Sequence, residues 1–266
     1  MHAIVCIKQV PDTTEVKIDP ERGTLIREGV PSIVNPFDMY AIEEALRLKE
    51  SFGGKVTVMT MGPRQALEAL KEAVAMGCDD AILISDPAFA GSDTWATAYT
   101  LSQAIRRLGE FDIILCGKQA IDGDTGQVGP GIARQLRINQ LTYVFKIQQI
   151  DFDQRTIRVE RLLEEGREVV ESRLPALLTV VKDINQPRYP TFKGIRRAAK
   201  MEIPIWTAEA LEGANRSLFG LDGSPTRVIK VFNPPARSGT VEIIQGDTPQ
   251  EVAAILADKL LAEKLI

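Results

Sequence analysis

The segment with the strongest signal for ligand binding is GKQAIDGDTGQVGPG, residues 117–131. It follows an apolar, strand-like run and leads into a helical pattern, and its glycines allow the backbone to approach a ligand closely. These glycines are Gly117, Gly123, Gly126 and Gly129. Because Pro130 is tolerated only in the first turn of a helix, the amide N–H groups of about residues 124–129 lack helical acceptors. The segment therefore predicts an anion site, suited to phosphate, at a helix N-terminus.

Two carboxylates in this loop oppose that interpretation. Asp122 and Asp124 would repel a phosphate unless each side chain turns inward and accepts hydrogen bonds from the loop's own backbone, as Asp does in turns and caps. Thr125 and Gln127 are then left as uncharged donors. The alternative is a glycine-rich turn with capping aspartates that binds no ligand.

A second predicted helix start offers hydroxyl groups. In AFAGSDTWATAY, residues 88–99, Ser92 and Asp93 are typical N-cap residues. Thr94 and Thr97 lie three positions apart and share one helix face, so both hydroxyls can reach the polar edge of one ligand. The residue types leave capping and ligand binding open.

Several other chemistries have little support in this sequence. His2 is the single histidine, which leaves little room for histidine-based acid–base or metal chemistry. Cys6, Cys78 and Cys116 lack the paired spacing of a zinc site or a disulfide framework, and they indicate core thiols in a reducing cytoplasm. The nucleotide fingerprints G-x-G-x-x-G after the first strand and G-x-x-x-x-G-K-[ST] are missing. A net charge of −4 argues against binding to nucleic acid, and the composition argues against a membrane span.

The elements that must position these residues alternate along the first half of the chain. Strand-like runs cover 3–8, 56–60, 81–85 and 112–117, and helical patterns cover 38–50, 64–76, 94–108 and 130–137. This alternation predicts an α/β fold with a parallel sheet covered by helices on both faces, and ligands bind at the carboxyl ends of such strands. After about residue 142, further strand-like runs around an Asp151–Arg155 turn predict an antiparallel extension of the same sheet.

We predict two parts of the chain: an α/β domain over residues 1–184 that includes the extension, and an arm over 185–266. Prolines interrupt the arm, and only its end, after Asp247-Thr248-Pro249, is predicted to be helical. The arm either folds back on its own domain or embraces a partner chain. The N-terminus reads as a strand and shows no export signal.

One basic stretch of the arm, KGIRRAAK (193–200), follows an apolar residue, Phe192. It is either a plain basic surface loop or a docking element with an apolar tip on an acidic protein.

The combination of these segments resembles the β subunit of electron transfer flavoproteins over nearly the whole chain. A segment that opens at Val159 fits the signature of that family. The matching residues are Arg161, Glu164, Glu165, Gly166, Glu168, Val170, Pro175, Leu177, Leu178 and Thr179. VNPFDMYAIEEALRLKE, GKQAIDGDTGQVG and INQPRYPTFKGIRRAAK add three further matches.

The resemblance implies an adenine-nucleotide-binding α/β fold and a heterodimer with a larger α subunit that carries a mobile flavin. It places the nucleotide against the first strand, an Asn-Pro-Phe turn, a strand end before Gly-Pro, and the long loop. The implied contacts are Cys6, Asn35, Pro36, Phe37, Asp38, Met61, Gly117, Lys118, Gln119, Ala120, Ile121, Asp122, Gly123, Asp124, Thr125, Gly126, Gln127 and Val128. No residue is implied as a catalytic acid or base.

The resemblance also implies a recognition loop that docks on an acyl-CoA or other flavin dehydrogenase. Phe192 falls at its anchor position, where a leucine is familiar, and Lys193, Arg196 and Arg197 flank it. The identity of the dehydrogenase therefore stays open.

Two branches of the family differ in what the β subunit holds. One holds AMP as a structural nucleotide; the other holds a second FAD that bifurcates electrons from NADH, one to the α-subunit flavin and a dehydrogenase, the other to ferredoxin or flavodoxin. The AMP branch commonly has a third acidic residue where this chain has Gly123, so the resemblance favours FAD, with Thr94 and Thr97 at the isoalloxazine edge. A free-standing nucleotide hydrolase or sensor and a ligand-free structural module are the remaining alternatives.

Overall fold

The computed structural model describes residues 1–12, 31–229 and 241–265. The chain divides into two compact units, Met1–Lys230 and Val231–Ile266. The first unit continues well past residue 184, where the sequence analysis placed its end.

A nine-stranded sheet organises the first unit. Its strands are β1 (His2–Cys6), β4 (Lys55–Met61), β5 (Asp80–Ile84), β6 (Ile113–Gly117), β7 (Asn139–Asp151), β8 (Thr156–Leu163), β9 (Gly166–Arg173), β10 (Ala176–Val180) and β11 (Ile205–Trp206). Two further strands, β2 (Gln9–Pro11) and β3 (Ser32–Val34), form a separate antiparallel ribbon.

The order of strands in the large sheet is β11-β5-β4-β1-β6-β10-β7-β8-β9. All neighbours from β11 to β7 are parallel, and β8 and β9 are antiparallel. The predicted parallel sheet is confirmed, but the extension differs from the prediction, because β10 returns into the parallel sheet between β6 and β7. Every residue of β10 is buried, so it requires neighbours on both edges and helices on both faces.

Helices cover the sheet from both sides, as predicted. They are α1 (Pro36–Phe52), α2 (Leu67–Met76), α3 (Thr94–Leu108) and α4 (Val128–Leu136), while α5 (Phe192–Lys200) packs on α2 and α6 (Pro249–Ala262) belongs to the second unit. On one face Val5 of β1 joins a core with Ile42 of α1 and Leu70 of α2. On the other face Ile4 packs in a core with Ile105 of α3 and Ile132 of α4.

Residues 185–229 belong to the first unit and fold back on its helices and sheet. Arg188 binds two carboxylates of α1, with Nε 2.8 Å from Glu43 Oε2 and Nη1 2.5 Å from Glu50 Oε1. Leu211 and Phe219 are buried in the core beside α3. These contacts explain why the first unit extends beyond the predicted boundary.

The second unit contains α6. The Thr248 hydroxyl accepts a hydrogen bond from the Glu251 N–H (3.2 Å), and Pro249 occupies the first turn. This cap confirms the predicted C-terminal helix. Among the described residues of both units, no helix is long and apolar enough to cross a membrane.

Candidate functional site

The parallel strands bring three predicted site residues to one edge of the sheet. Cys6 ends β1, Met61 ends β4 and Gly117 ends β6. Cys6 is paired in register with Cys116 of β6, and each is 7% exposed. A hydrogen bond with Cys6, together with burial, raises the pKa of the Cys116 thiol well above its usual range. Cys116 is therefore a protonated thiol packed beneath the edge.

A cleft opens at this edge with a volume of about 140 Å³, and its lining includes Lys8, Met61, Pro63 and Asp122. Pockets for drug-sized ligands typically measure about 300–1,000 Å³, so this cleft has room for only part of a nucleotide. A groove of about 350 Å³ lies between α1 and β7, but none of the predicted site residues lines it. The chemistry of the loop therefore points to the smaller cleft.

Asn35 holds the long loop in place. It occupies the N-cap position of α1, but its side chain does not cap that helix. Its Nδ2 group donates to the Gln119 carbonyl oxygen (2.9 Å), and its Oδ1 accepts from the Ile121 N–H (3.1 Å). Asn35 is 1% exposed, so its amide is engaged with the loop backbone and shielded from solvent.

Asp38 joins the ends of two strands to the first turn of α1. Its carboxylate accepts from the Lys8 N–H (2.7 Å) and from the Gly117 N–H (3.0 Å). Burial raises the pKa of Asp38 to about 7, although these hydrogen bonds act in the opposite direction. Asp38 is therefore a positioning group beneath the loop.

Gly117 is required because the start of α1 packs directly on it. A Cβ atom at this position would clash with the backbone of Phe37 and the carboxylate of Asp38. The same packing brings the ring of Phe37 to 5.8 Å from the ammonium of Lys118. Pro36 occupies the first turn of α1, where its missing N–H costs no hydrogen bond.

The two loop aspartates find partners in side chains. Asp122 pairs with the ammonium of Lys8 at 2.6 Å, and Asp124 accepts from the side chain of Gln119. The expectation that both carboxylates bond to the loop's own backbone was therefore wrong. Lys8 lies 114 positions before Asp122, so local turn chemistry gave no sign of it. The carboxylates are nevertheless engaged, which lowers the electrostatic cost of an anion at the loop.

The backbone amides of the loop are mostly free of protein acceptors. The Asp124 N–H donates to the Ala120 carbonyl (2.9 Å), and the Gly131 N–H donates to the Gln127 carbonyl (2.9 Å). Within the described part of the chain, the amides of residues 125–129 between them have no protein acceptor. Asp124 and Gly126 adopt positive φ angles of 56° and 62°, which turn this backbone sharply ahead of α4. The predicted amide cradle is thus present from residue 125 onward.

The start of α3 reaches the same loop. The Thr94 hydroxyl lies 3.3 Å from Gln127 Oε1, whereas Thr97 lies half-buried one turn later. Asp93 is the N-cap and accepts from the Ala96 N–H (3.0 Å), so the capping interpretation holds for Asp93. The Ser92 hydroxyl donates instead to the Phe89 carbonyl (2.8 Å).

The predicted recognition loop contains a helix. Thr191 caps α5 by accepting from the Gly194 N–H (3.0 Å), so KGIRRAAK is helical and is not the plain surface loop of one interpretation, while the docking interpretation stays a prediction. Phe192 is 94% exposed at its first turn, and the side chains of Lys193 and Arg196 are exposed. Arg197 donates instead to backbone carbonyls at the end of α2, Val74 (3.1 Å) and Cys78.

The sequence analysis did not predict a place at the site for three residues: Lys8, Tyr143 and Thr179. Lys8 was assigned only to the first strand, and Thr179 only to the family signature. Tyr143 was assigned to a strand and carried no distinguishing signal. In the described residues no cluster of side chains fits a metal ion.

The fold and the loop define an α/β protein that presents a preorganised turn of free amides at the carboxyl edge of a parallel sheet. The family model described as "Electron transfer flavoprotein domain" matches residues 22–211. The "Electron transfer flavoprotein subunit beta" of Megasphaera elsdenii is 50% identical over 274 residues, covering 100% of both chains. The protein of the same name from Thermoanaerobacterium thermosaccharolyticum is 54% identical and covers 95% of both. The "Caffeyl-CoA reductase-Etf complex subunit CarD" of Acetobacterium woodii is 50% identical, again over 100% of both chains.

The chain therefore belongs to the electron transfer flavoprotein β-subunit family. This finding confirms the resemblance identified from its sequence. It also supports a role in electron transport.

Proposed function

We propose that this chain is the β subunit of an electron transfer flavoprotein heterodimer and that its loop holds the phosphate part of an adenine nucleotide, in the first instance FAD. The observation that carries the proposal is the run of amides over residues 125–129, which have no protein acceptor in the described chain. Such amides at a helix N-terminus suit a phosphate oxygen.

The charge distribution at the loop supports this assignment. The ion pair between Lys8 and Asp122, at 2.6 Å, compensates one carboxylate, and Gln119 donates to the other, Asp124. The side chains of Asn35 and Asp38 form hydrogen bonds with backbone groups of the loop and of the strand ends, so their proposed role is to fix the conformation of the loop. Met61 lines the cleft beside the loop, and we assign Cys6, which is buried at the end of β1, a place beneath the nucleotide.

FAD is favoured over AMP by the composition of the loop. Gly123 stands between two aspartates where the AMP branch commonly adds a third acidic residue, and a side chain there would meet no neighbour within 4 Å. The Thr94 hydroxyl lies 3.3 Å from Gln127 Oε1, beside the loop, which supports its proposed contact with the polar edge of the flavin.

The alternative is a non-bifurcating β subunit that holds AMP as a structural nucleotide. It is supported by the size of the cleft, about 140 Å³, because a mononucleotide leaves less of the ligand outside the cleft than a dinucleotide does.

When bound, FAD would supply the redox chemistry, accepting two electrons from NADH and passing them on singly to the α-subunit flavin and to ferredoxin or flavodoxin. The residues of this chain bind and orient the cofactor. No acid–base residue is required for that role. The three free cysteines, all buried, are compatible with a reducing cytoplasm.

The second part of the proposal concerns docking. Phe192, exposed on α5 and flanked by Lys193 and Arg196, would anchor an acyl-CoA or other flavin dehydrogenase. The relative from Acetobacterium woodii, named as a subunit of a caffeyl-CoA reductase–Etf complex, lends support to a partner of this class. Arg197, engaged with α2, would fix the angle of the helix.

The experiment is to purify the chain together with its α subunit and to identify every bound adenine compound after heat release. Two FAD molecules per heterodimer would support the bifurcating branch. One FAD and one AMP would establish the alternative. A heterodimer without an adenine compound in this chain would overturn both.

A further inference from the structure

Lys118, at the start of the loop, sits between two aromatic rings. Its ammonium lies 5.8 Å from the ring centre of Phe37 and 5.4 Å from that of Tyr143, both within the range of cation–π attraction. No carboxylate of the described residues forms an ion pair with it. At the loop, therefore, Asp122 compensates the positive charge of Lys8. Within the described chain, the ammonium of Lys118 contacts only aromatic rings, so its charge remains available to an anion.

The backbone of Tyr143 is strained at this position. Its φ angle is +58°, a left-handed conformation that is unfavourable for a bulky aromatic residue. Four other non-glycine residues share a positive φ, but Asp124 lies in the loop, Arg155 in a hairpin turn, and Arg137 and Lys264 at or just beyond helix ends. Among the described residues, Tyr143 alone combines this angle with a place inside a strand.

The strain is maintained by an irregularity in the pairing of β7 with β10. The register shifts between Leu178 and Val180, and the Tyr143 N–H donates to the hydroxyl of Thr179 (3.2 Å). Thr179 is 3% exposed, and its methyl group packs where a Cβ on Gly129 would approach to 2.7 Å. One buried threonine thus supports both the bulge and the start of α4.

We infer that Tyr143 is a positioning residue that, together with Phe37, holds the Lys118 ammonium at the loop so that it binds the phosphate of the nucleotide. Strained residues concentrate at functional sites, because the surrounding structure must offset their cost. This inference rests on the proposed function, since it presupposes an adenine nucleotide at the loop. It adds a residue that neither the motif nor the family resemblance contains.

The test compares two ligands that differ by one phosphate. The heterodimer is stripped of nucleotide, and its affinities for AMP and for adenosine are measured. Tyr143→Asn removes the ring, while asparagine tolerates positive φ well, so folding is not penalised. We expect AMP to bind about 3- to 10-fold more weakly, the range of one cation–π contact, with adenosine unchanged. Tyr143→Phe keeps the ring and should bind AMP as the parent does.

Variants made in a Lys118→Met chain distinguish a positioning role of Tyr143 from a general structural role. In a Lys118→Met chain, AMP binding should already be weak, and adding Tyr143→Asn should change it no further. Thr179→Val, which removes the hydroxyl that supports the bulge, should reproduce the selective loss of AMP.

The possible outcomes are distinguishable. Equal weakening of AMP and adenosine by Tyr143→Asn would mean a purely structural role and would overturn the inference. Unchanged AMP affinity would also overturn it. A parent heterodimer that binds neither ligand would instead contradict the proposed function.

Discussion

The loop over residues 117–129 and helix α5 are both polar segments at the surface of the first unit. The loop leaves backbone groups available for binding, whereas α5 exposes side chains. In the loop, Asp122 and Asp124 are engaged by Lys8 and Gln119, and the backbone amides are left free. In α5 the backbone is satisfied by the helix, and Phe192 is left 94% exposed.

This difference shows what each segment is suited to bind. Free amides in a sharp turn match a small anion, which can come within hydrogen-bond distance of several of them at once. An exposed aromatic side chain with basic neighbours matches a protein surface with an apolar pocket and acidic rim. The predictions below test one side of this comparison at a time.

The largest effect is expected from Asn35→Ala. The change leaves the Gln119 carbonyl and the Ile121 N–H without their buried partner. Each of these two groups costs about 1–3 kcal/mol, so we expect the free energy of unfolding to fall by about 2–6 kcal/mol. Urea unfolding followed by tryptophan fluorescence measures it. Equal stability of the alanine variant and the parent would show that Asn35 does not hold the loop in place.

The second prediction for the loop concerns the effect of Thr125→Leu on bound nucleotide. A bulky apolar side chain beside the free amides blocks access of a phosphate and offers it no donor, so we expect nucleotide content to fall at least about tenfold, which corresponds to about 1.4 kcal/mol. Content is measured by chromatography of heat-released extracts. Thr125→Ser serves as the control and should retain the nucleotide. Unchanged nucleotide content in the leucine variant would contradict the assignment of the phosphate to this loop.

On the other side of the comparison, Phe192→Ala should slow electron transfer to the dehydrogenase and leave nucleotide content intact. Removing an aromatic anchor typically costs about 2 kcal/mol of binding, so the rate at low partner concentration should fall about 30-fold. Val169→Ala is a matched control, because Val169 is 57% exposed on β9. Equal rates in the Phe192→Ala variant and the parent would leave α5 without a docking role.

The last prediction concerns the pH dependence of stability, through Asp38. Its pKa is about 7 in the folded chain against an ordinary value of 3.8, so the folded state binds the extra proton between these pH values. The contribution of Asp38 to stability is therefore complete below about pH 4 and is lost as the pH rises towards 7, with a slope of at most about 1.4 kcal/mol per pH unit.

Asp38→Asn removes this titration. Unfolding of parent and variant at pH 5, 6, 7 and 8 should show that the difference in stability between them changes up to about pH 7 and then levels off. Parallel curves across the whole range would mean that Asp38 titrates in the folded chain as it does in the unfolded one.

Much of the fold was predictable because its determinants are local in the sequence. The apolar runs and helical patterns around Ile4, Ile42 and Ile105 follow the periods of strands and helices, and they placed β1, α1 and α3 close to their observed positions. The loop over residues 117–131 was predicted for the same reason, since glycines and a proline act on the backbone of their own neighbours.

Other features depend on contacts between distant residues and left no local pattern. The helix α5 was missed because Gly194 near its start weakens the helical signal, whereas packing on α2 and the Thr191 cap stabilise the helix. The place of β10 in the sheet follows from its burial on both faces, which a run of apolar residues alone does not specify.

The sequence by itself determined the family, the alternating α/β pattern and the position of an amide-rich turn, because these reside in residue types and short spacings. The tertiary structure decided which groups in that turn are already satisfied. Lys8 reaches Asp122 across 114 positions, and Tyr143 reaches Lys118 from a strained bulge two strands away. Such pairings depend on the packing of the whole sheet, and a pattern read along the chain contains no distance between residues that meet only after folding.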